Sequence, residues 1–276
     1  MTPRPTRARW RAAAGRALLV GLGAVLVLFL LMPLFGLVVT TSWDAFVGGL
    51  RHPLVWPALR LSLMTTTISL IAVVVLGAPL AWVLARSKRR MARSIETLMQ
   101  LPIVIPPAVA GVALLLAFGR RGVLAGWLYP EGWSVSLTTL AVVFAEIFVS
   151  APFFVQTATS AFRRIDPNLI LVARSGGASP LRVFASIGLP LAAHGLVAGA
   201  AMSWARSLGE FGATLMFAGN LTNKTQTLPL AIYIALESDL RAAQALSLIL
   251  VAVAFALLFA VRARLPAAAR AEAASG

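Results

Sequence analysis

Residues 59–85 read LRLSLMTTTISLIAVVVLGAPLAWVLA, a nearly continuous apolar run that ends where a basic cluster begins at Arg86. A helix needs about 20 mostly apolar residues to cross the hydrocarbon core of a bilayer. A strand of a membrane β-barrel would instead alternate apolar and polar residues over roughly ten positions. The run therefore predicts a transmembrane helix.

Further runs of this kind are bounded by charged residues, proline or glycine. The predicted spans are residues 17–40, 59–85, 98–118, 137–158, 191–217 and 243–261. The fifth is the least typical, because it contains His194, Arg206 and Glu210. The pattern predicts an all-α, polytopic membrane protein of about six transmembrane helices. Its transmembrane domain is residues 17–261, between a basic tail at 1–16 and a second tail at 262–276.

The composition agrees with a membrane protein. Of the 276 residues, 59% are apolar and only 12% are charged, which argues against a soluble globular domain. The chain contains no cysteine. Disulfide bonds, thiolate zinc sites, iron–sulfur clusters and a cysteine nucleophile are thereby excluded.

The net charge of +15 comes from 24 Lys and Arg against nine Asp and Glu. A nucleic-acid-binding protein would gather such an excess on one polar face. In this sequence the basic residues lie between the apolar runs instead, so no nucleic-acid partner is predicted. Most of the basic residues fall in alternate connecting segments, at 1–16, 86–93, 163–182 and 262–270. Because cytoplasmic loops retain Lys and Arg, both termini are predicted to be cytoplasmic. The first apolar run is too long for a secretory signal and is predicted to be a retained helix.

The segment between the fourth and fifth spans, residues 161–190, is the longest on the cytoplasmic side. Asp166 can cap a helix, Gly176 and Gly177 can end it, and Ser179 followed by Pro180 can start a second. Two short helices with a glycine break are therefore predicted. The apolar residues at 169–172 indicate either a surface for a partner or a face that lies on the membrane.

This segment resembles the cytoplasmic "EAA" loop of permease subunits in ATP-binding-cassette (ABC) importers. That loop runs Glu-Ala-Ala, three residues, Gly, nine residues, Ile, one residue, Leu-Pro. The matching positions are Ala173, Gly177, Ile187, Leu189 and Pro190. Leu171 and Val172 stand where the pattern has Glu and the first Ala, so the polar contact of that Glu is not implied. The resemblance implies that the segment is a coupling helix that docks on an ATPase subunit.

Three strings narrow the resemblance to the molybdate, tungstate and sulfate branch of these importers. They are LPIVIPPAVAG at 101–111, ARSLGEFGAT at 205–214 and TQTLPL at 225–230. The set is most similar to a molybdate permease; sulfate or thiosulfate uptake is the alternative. The resemblance implies an inner-membrane subunit of a bacterial importer that moves a tetrahedral oxyanion by alternating access. Its implied partners are two ATPase subunits that hold ATP and Mg, a second and identical permease, and an extracytoplasmic solute-binding protein.

The chain itself has no Gly-x-x-x-x-Gly-Lys-Ser/Thr phosphate loop. We therefore expect no ATP binding of the P-loop kind and no enzymatic activity in this subunit. No cofactor or metal is predicted, because His52 and His194 are isolated. In the outer loop, Arg120, Arg121 and Trp127 either contact the solute-binding protein or are incidental.

The first string places Pro102, Pro106 and Pro107 near the start of the third span and ends at Gly111. Proline removes an N–H donor and obstructs helix geometry, so the backbone is expected to bend or break there. Broken helices at membrane depth are tolerated beside protein or a water-filled cavity. The prolines therefore indicate either the edge of the translocation path or a kink that serves packing.

The second string places two opposite charges, Arg206 and Glu210, four residues apart in the fifth span. Charges in the bilayer usually pair or face water, and we favour an internal ion pair that shapes a gate. Direct contact of the guanidinium with an oxyanion is the alternative. Gly209 and Gly212 fit close packing around Phe211, which is either an aromatic plug or plain core.

Glu146, in the fourth span, either faces Arg206 or is protonated. A rival function is a stand-alone, ion-coupled secondary transporter that uses Glu146, Arg206 and Glu210 as a relay. An intramembrane enzyme is the other rival, but the spans contain no Ser/His, Asp/Asp or metal-binding arrangement.

Overall fold

The computed structural model describes residues 7–87, 90–128 and 133–264. Residues 1–6 of the first predicted tail and 265–276 of the second lie outside these residues. The described part of the chain forms helices and contains no strand, which confirms the all-α fold class. The helices are α1 (Arg7–Thr40), α2 (Trp43–Leu50), α3 (Val55–Arg86), α4 (Arg90–Leu98), α5 (Leu101–Val104), α6 (Pro107–Phe118), α7 (Ala125–Leu128), α8 (Thr139–Arg163), α9 (Pro167–Ser175), α10 (Pro180–Val183), α11 (Leu189–Leu208), α12 (Gly212–Ala218), α13 (Leu228–Ser238) and α14 (Leu240–Arg264).

By length and composition, five of the described helical stretches can cross a membrane. They are Gly15–Thr40, Val55–Arg86, Thr139–Arg163, Pro180–Leu208 and Leu240–Leu257. A bent pair, Arg90–Val104 and Pro107–Phe118, makes a sixth if it is taken as one span. The predicted number of spans is therefore confirmed.

The centre of the bundle is α8, which packs against α3 on one side and α11 on another. Phe154 and Phe162 of α8 are fully buried. Small residues allow the close approach: a side chain at Gly77 of α3 would run into Phe154, and one at Gly199 of α11 would crowd Thr157. Membrane helices associate through such van der Waals packing of small residues, because burial from lipid supplies no hydrophobic driving force.

The first helix, α1, packs weakly against α14. Its apolar side chains from Gly15 to Thr40 are largely exposed in the single chain. A helix that is apolar on all sides is typical of a membrane span. The exposed surface of α1 is therefore one that lipid or another subunit covers.

The third span breaks where the prolines predict. Helix α5 ends at Val104, Ile105 is extended with a ψ of 129°, and α6 starts again at Pro107. The residue before a proline avoids the helical region, and Pro106 follows Ile105. The chain bends by 115° between the two halves.

The fifth span differs from the prediction at both ends. It begins at Pro180 instead of residue 191, because α10 runs through a π-helical turn, Phe184–Gly188, directly into α11. It ends at Leu208, and α12 starts after a break at residues 209–211. The predicted start of a second helix at Ser179 and Pro180 is confirmed, but the prediction that this helix is short and separate is wrong, because its residues are the first turns of a long helix. Helix α13 is a further element that the hydropathy pattern does not predict.

Candidate functional site

The segment between α8 and the fifth span has the predicted helix ends. The side chain of Asp166 accepts a hydrogen bond from the backbone N–H of Asn168 at 2.9 Å and so caps α9. Gly177 has a φ of +82°, the left-handed conformation that ends helices and favours glycine. The hydroxyl of Ser179 accepts the N–H of Arg182 at 3.3 Å and caps the next helix.

Helix α9 packs Ile170 against the bundle, while its other large apolar side chains are exposed. The exposed fraction is 61% for Leu171 and 72% for Val172, and Leu169 is also exposed. Ile187 and Leu189 are half-buried on the long helix instead. The "EAA"-like positions therefore divide into an exposed helix, α9, and the start of a membrane span. The described contacts leave the apolar face of α9 uncovered.

A stripe of hydroxyl side chains runs along α3 inside the bundle. Its members are Ser62, Thr65, Thr66 and Ser69, all buried. Three other helices form hydrogen bonds with these hydroxyl groups. The Thr65 hydroxyl donates to Glu146 of α8 at 2.7 Å, the indole N–H of Trp204 in α11 donates to Thr66 at 3.0 Å, and the backbone N–H of Leu228 donates to Ser62 at 2.7 Å. The stripe ties α8, α11 and α13 to α3.

Glu146 is buried with 1% of its surface exposed. Its Oε1 atom accepts the Thr65 hydroxyl, while Oε2 has no hydrogen-bond partner among the described residues. Its partner is therefore Thr65, and the structure does not show the alternative pairing with Arg206. A buried carboxyl held by hydroxyls serves the packing of α3 on α8 at the least.

Arg206 and Glu210 form an ion pair, with 2.8 Å between Nη2 and Oε2. The Glu210 side chain is buried, whereas 29% of the Arg206 side chain is exposed. Oε1 of Glu210 also accepts the backbone N–H of Ala213 at 2.8 Å, so the carboxylate caps the start of α12. Glu210 thus lies in the break after α11, not on one continuous helical face as the spacing predicts. The role of the pair as a gate stays a prediction.

The second halves of the two broken spans, α6 and α12, pack closely through a glycine from each. A Cβ on Gly111 would lie 2.6 Å from the Cβ of Met216, and one on Gly212 would lie 2.8 Å from the Cβ of Pro107. Phe211 stacks at a tilt on Tyr233 of α13, with ring centroids 5.5 Å apart. Pro106, Pro107, Gly111 and Gly212 are therefore brought together, and Gly209 to Phe211 form the neighbouring break.

The third string lies in a buried, irregular loop before α13. Thr225, Gln226 and Thr227 are each no more than 5% exposed. The Thr225 hydroxyl accepts the backbone N–H of Leu221 at 2.8 Å, and the carbonyl of Leu221 accepts the N–H groups of Thr225 and Gln226. Irregular backbone is stable at membrane depth only when its polar groups are bonded in this way.

The hydroxyl stripe is the feature that the sequence analysis missed. The signal was present, because polar residues at 62, 65, 66 and 69 share one face of a helix. Hydropathy averages over such a stripe, since Ser and Thr are weakly polar and can bond to the backbone one turn earlier. Trp204 offered no signal beyond being an aromatic residue near a charged pair.

Two clefts open at opposite ends of the bundle. One, of about 550 Å³, lies beside the starts of α3 and α8 and is lined in part by Arg60, Thr139 and Asn223. The other, of about 590 Å³, lies beside the end of α8 and the start of α11 and includes Arg164 and His194. The described residues contain no cluster that could hold a metal ion. Arg120, Arg121 and Trp127 are exposed.

Membrane helices broken at depth, a polar interior and an exposed apolar helix on one connecting segment define a polytopic transport protein. The chain belongs to the family of binding-protein-dependent transport system inner membrane components, whose pattern matches residues 74–268. It is 44% identical over 240 residues to the molybdenum transport system permease protein ModB of Mycobacterium tuberculosis, covering 87% of this chain and 91% of the relative.

Two further relatives differ in the anion that they are named for. The molybdate/tungstate transport system permease protein WtpB of Pyrococcus furiosus is 36% identical over 244 residues, covering 88% of this chain and 92% of the relative. The sulfate transport system permease protein CysT of Escherichia coli is 34% identical over 256 residues, covering 91% and 92%. The resemblance to the molybdate, tungstate and sulfate branch of ABC importer permeases is confirmed.

The fold has counterparts among solved structures. A bacterial alginate ABC transporter in complex with an alginate-bound periplasmic protein superposes with a TM-score of 0.71 at 18% identity, covering 91% of this chain and 93% of that one. The MetNI methionine ABC transporter in inward-facing conformations gives 0.58 at 20% identity, covering 77% and 94%. At these identities the likeness establishes the fold alone.

Proposed function

We propose that this chain is the permease subunit of an ATP-driven importer for molybdate or tungstate. The observation that carries the proposal is the 44% identity to a molybdenum permease over 240 residues, 87% of the chain. Sulfate is the second candidate, because a sulfate permease is 34% identical over a similar length. All of these anions are tetrahedral, so they compete for similar contacts, and they differ from one another in size.

In the proposed assembly, two copies of the chain pair about a two-fold axis with the path between them. Each copy presents α9 to an ATPase subunit, which holds ATP and Mg because this chain lacks a phosphate loop. A solute-binding protein delivers the anion on the outer side. The termini and α9 then face the cytoplasm, as the distribution of Lys and Arg favours.

The exposed apolar face of α9 supports this role. Leu171 and Val172 would be costly to leave in water, and an exposed apolar patch usually marks an interaction site. Since Leu171 replaces the Glu of the family pattern, the contact is proposed to rest on apolar burial more than on a charge.

The two broken spans are the proposed moving parts. Helices α6 and α12 are short, packed on each other and joined to the bundle by breaks. The Arg206–Glu210 pair fixes the start of α12, and we propose that rearrangement around this pair opens and closes the path. A tight anion site is not needed there, because a passage that held the anion strongly would not release it.

The clefts at the two ends support an anionic cargo. Arg60 lies in one cleft, and the other contains Arg164 and His194 beside Asp166, so the outer cleft carries the argument for an anion. Basic groups at the mouths of a path attract anions over several ångströms. This attraction weakens as the salt concentration rises, because salt screens the charges.

Reconstitution tests the proposal. The chain is placed in vesicles with its ATPase and binding-protein partners, and uptake of radiolabelled molybdate is measured with and without ATP. We expect uptake that requires ATP and that excess tungstate suppresses more strongly than excess sulfate. Uptake by the chain alone, driven by an ion gradient, would instead establish the secondary transporter. Stronger suppression by sulfate would assign the sulfate function.

A further inference from the structure

The inner end of α3 holds the end of α8 in a fixed position. The guanidinium of Arg86, the last residue of α3, donates from Nη2 to the carbonyl of Phe162 at 2.6 Å and from Nη1 to the carbonyl of Ile165 at 3.2 Å. These carbonyls lie at the free C-terminal end of α8, where backbone acceptors lack helical partners and a cation is favoured. Ile165 is followed directly by Asp166, the cap of α9.

Trp82, one turn before Arg86, holds the other end of the same segment. Its ring packs edge-on against Phe162, with centroids 5.2 Å apart, and at a tilt against Phe184, with centroids 5.7 Å apart. The Arg86 guanidinium lies 4.9 Å from the centre of the Trp82 ring, within the range of a cation–π contact. A Cβ on Gly188 would lie 2.8 Å from this ring, so the backbone approaches it closely.

Phe184 and Gly188 bound the π-helical turn that begins the fifth span. A π-helical turn inside an α-helix is rare and frequently marks a functional position, because the backbone there carries one residue more per turn than its neighbours need. The ring of Trp82 is packed against both ends of this turn.

The chain segment 166–183, which contains α9, is therefore fastened to α3 on both sides. Arg86 and Trp82 contact the residues just before it, and Trp82 contacts the residues just after it. We infer that Trp82 and Arg86 are positioning residues. They make α3 move together with α9 when an ATPase subunit displaces α9. This inference rests on the proposed function, since it assumes that an ATPase subunit moves α9.

The consequence for the bundle follows from the hydroxyl stripe. The same helix α3 carries Thr65 and Thr66, which bond to Glu146 of α8 and Trp204 of α11. A displacement of α9 that reaches the inner end of α3 is therefore carried along a continuous helix to the residues beside the broken spans. Without the fastening, α9 can move on its flanking loops while α3 stays behind.

The test measures coupling, which is the ratio of transport to ATP hydrolysis. Damage that only reduces the amount of folded complex would lower both rates and leave this ratio unchanged. The complex with Arg86→Gln is reconstituted, and the molybdate transported per ATP hydrolysed is compared with that of the wild-type complex. We expect this ratio to fall by at least about tenfold, because two hydrogen bonds from a charged group are lost and the loss of one corresponds to about this factor. Arg86→Lys keeps the charge without the two-pronged geometry and should recover part of the ratio.

Arg163→Gln is the matched control. Arg163 also lies at the end of α8, but its ion pair is with Glu96 of α4, at 2.9 Å and partly exposed. We expect the control to keep the wild-type ratio. An Arg86→Gln complex with an unchanged ratio, or an Arg163→Gln complex with an equal fall, would overturn the inference.

The wild-type complex separates the two levels of the argument. If it does not couple ATP to uptake, the proposed function fails; if it does and Arg86→Gln couples equally well, only the positioning role fails.

A second measurement needs no transport. The chain contains no cysteine, so spin labels at Ser175→Cys in α9 and Val83→Cys in α3 report their separation with and without ATP. A constant separation in the wild-type complex that broadens in Arg86→Gln supports the inference, and a separation that changes in the wild-type complex overturns it.

Discussion

The contact between the two broken spans can be tested with one methyl group. In Gly111→Ala, the new Cβ would lie 2.6 Å from the Cβ of Met216 and 2.7 Å from the carbonyl oxygen of Ala213. Carbon atoms in contact are normally about 3.5–4.0 Å apart, so α6 and α12 must separate by roughly 1 Å. Neither neighbouring atom can rotate away, and we therefore expect a cost in the upper part of the overpacking range, about 2–3 kcal/mol. The better helix propensity of alanine returns about 1 kcal/mol, which leaves a net loss of about 1–2 kcal/mol.

The assay is thermal unfolding of the purified chain in detergent, followed by uptake in vesicles. For a chain of this size the loss corresponds to a fall in Tm of about 2–8 °C. Gly209→Ala is the matched control, because its nearest neighbour would be the carbonyl of Ala205 at 3.9 Å and its φ of −91° suits alanine. A Gly111→Ala chain as stable as wild type, or a Gly209→Ala chain that is equally destabilised, would refute the reasoning.

Three further predictions concern other parts of the site. Thr65→Val removes the hydroxyl that donates to Glu146 and should lower stability by about 1–3 kcal/mol, whereas Thr67→Val, at an exposed position of the same helix, should leave the Tm unchanged. Arg206→Gln leaves the buried carboxylate of Glu210 without its ion-pair partner, so we expect an altered ATPase rate with an unchanged order of anion preference; a switch in the preferred anion would indicate direct contact instead. Gly177→Val places a β-branched residue at a φ of +82° and should abolish ATP-linked uptake while membrane insertion, measured by fractionation, stays normal.

The membrane helices were predictable because hydropathy alone defines them. The spans that match α1, α3 and α8 are long, apolar and bounded by charge, so their prediction needed no tertiary information. The break in the third span was predictable as well, since proline at 106 acts through local geometry.

The fifth span shows where local patterns fail. Its start at Pro180 is a local cap and was predicted, but its continuation through the π-helical turn into α11 was not; Phe184 in this turn packs against Trp82, a residue far away in the chain. Its end at Leu208 was not predicted either, and Glu210 beyond it bonds to Ala213 of the next helix. The spacing of four residues predicted the ion pair between Arg206 and Glu210. It did not predict the break in the helix where Glu210 lies.

The individual site residues divide in the same way. The caps of α9 could be predicted from Asp166 and Gly177, because caps are local. The bond between Thr65 and Glu146 joins helices that are distant in sequence, and a single sequence offers no measure of that proximity.

The central claim is that α9 is the part of this chain that an ATPase subunit grips. The most direct measurement is cross-linking from a single cysteine at Val172→Cys, 72% exposed on α9, with Trp127→Cys, 92% exposed on the short helix α7, as the control. The account predicts that Val172→Cys captures the ATPase subunit and that Trp127→Cys does not. Absence of any ATPase adduct at Val172→Cys, or labelling of this position in intact cells by a reagent that cannot cross the membrane, would contradict it.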